Sequence, residues 1–273
     1  MKNLGKAIVF TLAVIWLVID VYPLIFMVFV SMKSSKEYLS ESIWALPDAF
    51  DLTNYVEVMK SGFYIYYLNS VFIVAISIVV LILAATMASY AFGKLRFKMN
   101  APLYTLFMAG MMIPVHVTLI PIFRITNLIG LYNTRIGLVG PYVAFGLPVS
   151  IFLLTTFMAQ VPNELEEAAI IDGANKWQRF AKIAVPISIP AINSVMIYNI
   201  VHYWNEFVYA LILINDPDKR NVNLGLWAFY GDHQVDVPNV LAALALSVLP
   251  LIVTYIFLQQ KIVKGMIAGS VKE

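Results

Sequence analysis

Two groups of polar residues could carry chemistry in this 273-residue chain. Trp204-Asn205-Glu206 places an amide and a carboxylate in an apolar run, which is costly unless the groups are paired or solvated. Residues 166–190, EEAAIIDGANKWQRFAKIAVPISIP, instead form a charged stretch between apolar segments, with carboxylates and cations available to bind opposite charges. Both patterns indicate binding and pairing rather than covalent chemistry.

Catalytic and metal-binding patterns are missing from the sequence. Neither Gly5-Lys6 nor Gly93-Lys94 has the earlier glycine or the following Ser or Thr of a phosphate-binding GxxxxGK[ST] loop. The chain has no cysteine, and no zinc-site spacing relates its three histidines, which are His116, His202 and His233. We therefore predict a chain that is not an enzyme and holds no cofactor and no metal.

The composition is that of a membrane protein. Apolar residues make up 61% of the chain, charged residues 12%, and the mean hydropathy is +0.81. A helix needs about 20 apolar residues to cross a hydrocarbon core of roughly 30 Å, and lipid offers no partner to unpaired backbone groups. We predict an all-α, polytopic fold with about six transmembrane helices, near residues 7–32, 68–92, 102–124, 136–159, 188–213 and 240–261. Kinks are expected at three prolines in these spans, Pro114, Pro121 and Pro148.

Lysine and arginine predict the orientation. The short segment after the second span, GKLRFKM, has three cations and no acid, which favours a cytoplasmic position. An N-in/C-in topology follows, with residues 166–190 in the cytoplasm and longer outer segments near 33–67 and 214–239. The net charge of +2 gives no sign of a nucleic-acid partner. The apolar stretch from Ala7 to Met32 is longer than a signal-peptide core, so we expect it to be retained.

Residues 160–187, the charged loop, predict two short helices joined by a turn. Asn163 is a suitable N-cap, and Glu166 lies at the capping-box position three residues later. The first helix should end at Asp172-Gly173, where glycine allows a sharp turn. The second should end before Pro186 and carry three apolar residues at helical spacing, Trp177, Phe180 and Ile183.

The charged loop has two interpretations. In one, Ala168 and Ala169 permit close approach of a partner protein, and the Glu167 carboxylate pairs with a cation of that partner. In the other, the loop lies on lipid headgroups with its cations toward the phosphates, these being Lys176, Arg179 and Lys182. The spacing of the acidic, small and proline residues favours docking.

The motif EAA…DGA, followed by Phe180, Ile183, Pro186 and Pro190, resembles the EAA loop of membrane subunits in binding-protein-dependent ABC importers. Further segments are similar to the smaller permease subunit of maltose-like carbohydrate importers. These are SYAFGKLRF, MIPVHVTLIPIF, IGLYNT, YWNEFVYALI and the tail LQQKIVKGMIAGSVKE. The resemblance implies the type I ABC importer permease fold, with one transmembrane domain over residues 1–273, in the cytoplasmic membrane of a prokaryote.

The resemblance also implies partners and residue roles. It implies a heterodimer with a second homologous permease, two ATPase subunits that hydrolyse ATP, an external solute-binding protein and surrounding lipid. Glu167 is expected to meet an arginine of the ATPase, within a coupling surface of Glu167, Ala168, Ala169, Asp172, Gly173, Ala174 and Phe180. The implied activity is import of a sugar or oligosaccharide by alternating access. Two alternatives stay open: an importer of glycerol phosphate or another small solute, and an ATP-independent carrier using Asp20 and Glu206.

Three further regions carry expectations. The tail, residues 262–273, is expected from the resemblance to reach the ATPase interface through Gly265, Met266, Ala268, Gly269 and Val271; the alternative is a frayed basic terminus. Residues 215–239 form a turn-rich outer segment that either meets the binding protein or simply connects two spans. Residues 204–206 either line a pore or clamp helices together, and we favour the clamp, because similar importers bind sugar largely in the larger permease.

Overall fold

A computed structural model describes the backbone of residues 2–232 and 236–270, with side chains described within residues 5–231 and 236–257. These parts of the chain form helices and turns, with no strand among them. The α-helices in chain order are α1 (Lys2–Ser31), α2 (Ser35–Ser40), α3 (Thr53–Val58), α4 (Tyr64–Lys94), α5 (Asn100–Gly110), α6 (Leu119–Leu128), α7 (Val139–Ala159), α8 (Asn163–Ile171), α9 (Lys176–Arg179), α10 (Val185–Trp204), α11 (Val208–Leu213), α12 (Val222–Asp232) and α13 (Val237–Ser270). The predicted all-α fold is confirmed.

Five helical segments of the described chain are long and apolar enough to cross a membrane, and a bent pair supplies a sixth. The five are Gly5–Ser31, Thr53–Lys94, Arg135–Ala159, Lys176–Trp204 and Val237–Phe257. The number agrees with the prediction of about six spans.

The third predicted span, 102–124, is wrong as one continuous helix. The segments Asn100–Gly110 and Val115–Leu128 meet at an angle of 96°. Pro114 lies in the break with an extended backbone, ψ 134°, and its ring nitrogen cannot donate a hydrogen bond. Proline therefore divides this apolar run into two helices instead of kinking one.

The fifth predicted span, 188–213, has different ends in the structure. Its helix continues from α9 through a π-helical turn, Phe180–Ala184, into α10 and ends at Trp204. Residues 205–207 turn, and α11 then forms a separate short helix. The prediction that the second helix of the charged loop ends before Pro186 is wrong, because the helix continues through Pro186, which lies just after the π-helical turn.

One compact unit comprises Tyr66–Leu224 and Leu251–Glu273. Its core lies where α4, α7 and α10 meet, and four residues there are at most 1% exposed: Ala85, Ile151, Leu154 and Val195. Small polar residues link the same helices. Ser89 Oγ donates to the carbonyl of Ile151 at 3.2 Å, and Asn199 Nδ2 donates to Ser150 Oγ at 3.0 Å. Such short polar links are typical of helix packing in lipid.

The other unit comprises Met1–Ile65 and Gly225–Pro250. Asn54 Nδ2 donates to the carbonyls of Ser31 and Lys33, both at 2.8 Å, and so satisfies the end of α1. Asn239 Nδ2 donates to Glu57 Oε2 at 3.1 Å. The outer segment that follows α1 is thereby ordered by side-chain amides.

The outer segment 215–239 is not the turn-rich stretch that its polar residues predict, because residues 222–232 form α12. Asn221 Oδ1 accepts from the Leu224 N–H at 3.0 Å at the start of this helix. Leu224 and Phe229 are buried, whereas Trp227 and Tyr230 are exposed. Before α12, Asp216 pairs with Lys219 at 3.0 Å, and hydrogen bonds from Lys219 and the Asp218 N–H lower the Asp216 pKa.

Candidate functional site

The charged loop folds as two helices around a glycine turn. The first, α8, contains residues with high helix propensity and ends at Ile171, with Asp172 as its C-cap. Gly173 has φ +80°, a left-handed conformation that glycine adopts without a steric cost. The Ala174 N–H donates to the Ala169 carbonyl at 2.8 Å and closes the turn. The predicted helix end and turn at Asp172-Gly173 are confirmed.

The start of α8 differs from the prediction. Pro162 is the N-cap, and Asn163, the first helical residue, makes no capping hydrogen bond through its side chain. Asn163 Oδ1 instead accepts from Lys94 Nζ at 3.0 Å, and the same ammonium donates to the Val161 carbonyl. The capping box lies at the start of α9, where Asn175 and Gln178 exchange hydrogen bonds of 2.9 and 2.8 Å.

Glu166 forms a buried ion pair, which the sequence did not reveal. Its Oε2 lies 3.1 Å from Arg179 Nη1, and the two side chains are 9% and 12% exposed. Tyr90 Oη on α4 donates to the same carboxylate oxygen at 3.4 Å. The Phe180 ring packs 5.3 Å from the Tyr90 ring. These contacts hold α8 and α9 against the transmembrane helix α4.

The opposite side of the charged loop is open. Glu167 and Ala168 are exposed, and Ile170 and Ile171 on the same helix are 52% and 86% exposed. The turn residues Asp172 and Gly173 are also exposed. A surface with a carboxylate, small residues and uncovered isoleucines is suited to protein contact.

The structure brings six of the seven predicted coupling residues to α8 and its turn, where Ala169 and Ala174 are half-buried. Phe180 lies elsewhere, because its ring packs on Tyr90 and on Trp177 at 5.6 Å. It lines a cleft of about 220 Å³ with Met87, Tyr90, Ala91, Leu95, Lys176 and Trp177. Phe180 therefore packs between the loop and α4, whereas Glu167 and Ala168 form the exposed surface of the loop.

Residues 204–206 join α10 to α11 and α7. Glu206 Oε2 accepts from Tyr142 Oη at 2.9 Å, and Oε1 accepts from the Tyr209 N–H at 2.6 Å. Trp204 is 5% exposed, and its carbonyl accepts from Asn223 Nδ2 at 2.6 Å. Asn205 is exposed, and its Nδ2 donates to the Val201 carbonyl one turn earlier at 2.9 Å. The contacts of Glu206 and Trp204 support the clamp interpretation.

Gly146→Ala is expected to loosen α7 from α10 and to lower the free energy of unfolding by about 1–3 kcal/mol. An added Cβ would lie 2.1 Å from Tyr203 Oη and 2.7 Å from Asn199 Oδ1. Gly140→Ala in the same helix is the control, since its Cβ meets no described atom within 4 Å. Thermal unfolding in detergent measures both variants, and equal melting temperatures would contradict the close contact.

The remaining predicted residues carry less structural information. Gly265, Met266, Ala268 and Gly269 lie within α13, beyond the residues with described side chains, and Val271 and His233 lie outside the described residues. Asp20 is exposed on α1. Among residues with described side chains, one group of potential metal ligands occurs, Glu37, Glu41 and Asp48. The Glu37 carboxylate there already accepts from the backbone N–H groups of Ser34 and Asp48.

The chain is similar in sequence to known membrane transport proteins. A family model described as binding-protein-dependent transport system inner membrane component matches residues 82–268, which include the charged loop and residues 204–206. The chain is 46% identical over 263 residues to an ABC transporter permease protein of Caldicellulosiruptor sp., with 96% of each chain covered. It is 33% identical over 270 residues to a diacetylchitobiose uptake system permease protein of Streptomyces coelicolor, covering 98% of this chain and 87% of that one.

A solved structure shares the fold. It belongs to a bacterial ABC transporter involved in import of the acidic polysaccharide alginate, with a TM-score of 0.82 and 22% identity. The match covers 95% of this chain and 96% of the other.

Proposed function

Since the chain belongs to the family of inner-membrane components of binding-protein-dependent transport systems, we propose that it translocates a sugar or oligosaccharide by alternating access, driven by a separate ATPase. The chain itself is a non-catalytic permease subunit of an ABC importer in a prokaryotic cytoplasmic membrane. The sugar cargo is supported by a relative that takes up diacetylchitobiose.

The observation that carries the coupling proposal is the two-sided construction of the charged loop. The exposed side of the loop presents Glu167 and Ala168. The opposite, buried side is fixed to α4 by Glu166, Arg179 and Tyr90. A partner that moves α8 would therefore also move α4. The helix that contains Arg179 continues into α10, so α10 would move as well.

The energetic requirement for coupling is differential contact. An ATPase shifts the permease between two conformations only if it binds α8 more tightly in one of them. Closure of two ATPase subunits would displace this loop together with its counterpart on a second, homologous permease. This movement would open the translocation pathway toward an external solute-binding protein. The heterodimer and these partners are part of the proposal.

Affinity purification of the tagged chain in mild detergent tests the assignment. We expect an ATPase and a second permease to co-purify, and expect ATP hydrolysis to rise when a sugar-loaded binding protein is added. Maltose, diacetylchitobiose, an alginate oligosaccharide and glycerol 3-phosphate form the first panel of solutes. A chain that transports solute alone, without an associated ATPase, would contradict the proposal.

A further inference from the structure

A cavity of about 510 Å³ lies beside α10, within the unit that contains Tyr66–Leu224. Its walls come from the turn before α6, from α7, from α10 and from the segment leading into α11. The volume is in the range of sites for small organic ligands, which are mostly apolar with a few placed polar groups. Two groups of residues from α10 and its C-terminal end line the cavity: Asn199, Tyr203 and Glu206, and separately Tyr198, His202 and Asn205.

Two faces of α10 have different roles. Asn199 and Tyr203 of α10, and Glu206 just beyond its end, are directed toward α7. Tyr203 stacks on Tyr142 at 5.1 Å, and Glu206 accepts a hydrogen bond from the Tyr142 hydroxyl. Tyr198 and His202 lie on the neighbouring face of α10, and Asn205, the C-cap of the helix, continues the same spacing.

The second face is open to the cavity. Tyr198 is 43% exposed, and His202 and Asn205 are exposed as well. The Tyr198 and His202 rings lie 4.3 Å apart and form a small aromatic surface beside the Asn205 amide. His116, exposed on the turn before α6, adds a second imidazole to the lining. On the inner wall, the Tyr203 side chain also borders the cavity, but its hydroxyl is buried against Gly146 of α7.

This set of groups matches a neutral carbohydrate. An aromatic surface suits the C–H face of a sugar ring, and an amide, imidazoles and a phenol can exchange hydrogen bonds with hydroxyls. No lysine or arginine lines the cavity in the described part of the chain, and its one carboxylate, Glu206, is already engaged by Tyr142 and two backbone N–H groups. An anionic solute would lose its hydration there without gaining a cation.

We infer that Tyr198, His202 and Asn205 contact the sugar in transit, and that this wall selects neutral carbohydrate over anionic cargo. The inference rests on the proposed function and assigns this permease subunit its own cargo contact. Trp204 is not part of that contact, because it is buried on another side of α10. Glu206 also lines the cavity, and its hydrogen bonds fix Tyr142 and α11 in place.

Single cysteines test the contact, because the chain has no cysteine of its own. Asn205→Cys and His202→Cys are introduced into the complete transporter in cells and treated with the water-soluble, cationic thiol reagent MTSET. Labelling is read on this chain after separation of the subunits. Val201→Cys is the matched control, since Val201 is 43% exposed on the same helix but does not line the cavity.

We expect MTSET to label positions 202 and 205. Maltose or diacetylchitobiose, whichever the unmodified transporter takes up, should slow that labelling roughly tenfold at about ten times its dissociation constant, by simple occupancy. Glycerol 3-phosphate and an alginate oligosaccharide should not slow it. Position 201 should show no protection by any of these solutes. Asn205→Ala is expected to raise the KM for uptake, and an unchanged KM would contradict a contact at position 205.

Three outcomes would overturn the inference. Labelling without protection by a transported neutral sugar would make the cavity a water-filled space only. Absence of labelling at both positions would identify a packing face covered by another subunit. Protection by the anionic solutes would contradict the selection of neutral cargo. If the unmodified transporter takes up no sugar of the panel, the proposed function itself is contradicted, and this result is distinct from the three above.

Discussion

Glu167→Arg is expected to abolish ATP-driven uptake while the chain still folds and inserts into the membrane. Glu167 is exposed on α8, so its replacement should change the stability of the isolated subunit by no more than about 0.5 kcal/mol. At an interface with an ATPase, however, the substitution removes a carboxylate and places a cation opposite the cation that it was to bind. Disruption of a desolvated charge pair costs about 2–5 kcal/mol of binding free energy.

A loss of about 3 kcal/mol corresponds to a roughly hundredfold weaker contact. The variant should therefore either lose its ATPase during purification or retain an ATPase whose activity no longer drives uptake. Glu164→Arg is the matched control, because Glu164 is exposed on the same helix but lies outside the EAA motif. Co-purification and uptake of labelled sugar are measured for both variants. Normal uptake by Glu167→Arg would remove Glu167 from the coupling surface.

Local sequence patterns predicted those parts of the charged loop that depend on local physics. The end of α8 and its turn follow from Gly173, because glycine is the residue that adopts a positive φ without strain. The six-span fold follows from apolar runs of sufficient length. Neither feature requires knowledge of which helices are neighbours.

Features that depend on tertiary neighbours were missed. Glu166 suits a capping box by sequence, yet Arg179 and Tyr90 lie close enough to bind its carboxylate in the interior. The distances of 13 and 76 positions along the chain give no local signal for these partners. Pro114 predicted a kink within one helix, but the two helices beside it meet at 96°, and the proline alone does not tell a kink from a break.

The polar residues of α10 show a similar division. Sequence reasoning assigned Trp204, Asn205 and Glu206 one shared role, because they are adjacent in the chain. Trp204 is the last residue of α10, and Asn205 and Glu206 lie in the turn that follows it, so the three side chains reach different surroundings. The spacing of Tyr198, His202 and Asn205, by four and three positions, is the signal that could have identified the exposed wall.

Arg179→Met is expected to have the second-largest effect, through the fold of the charged loop. It leaves the Glu166 carboxylate buried without its cation, which costs about 3–5 kcal/mol for a buried pair. The loop should detach from α4, become sensitive to limited proteolysis and transmit ATPase movement poorly. Lys182→Met is the control, since Lys182 is exposed in the same loop. Unchanged proteolysis and uptake in Arg179→Met would show that the ion pair does not hold the loop.

The double variant Glu166→Leu/Arg179→Met distinguishes the folding of the charged loop from its ability to transmit ATPase movement to α4. Replacing both members of a buried ion pair with apolar residues is often neutral for stability, because no unpaired charge is left. We therefore expect protease resistance to return to the wild-type level. If uptake also returns, a firmly packed contact between the loop and α4 is sufficient for coupling. If uptake stays low while the loop is protected, the hydrogen-bonded link from Arg179 through Glu166 to Tyr90 is itself required, and coupling depends on its directional contacts.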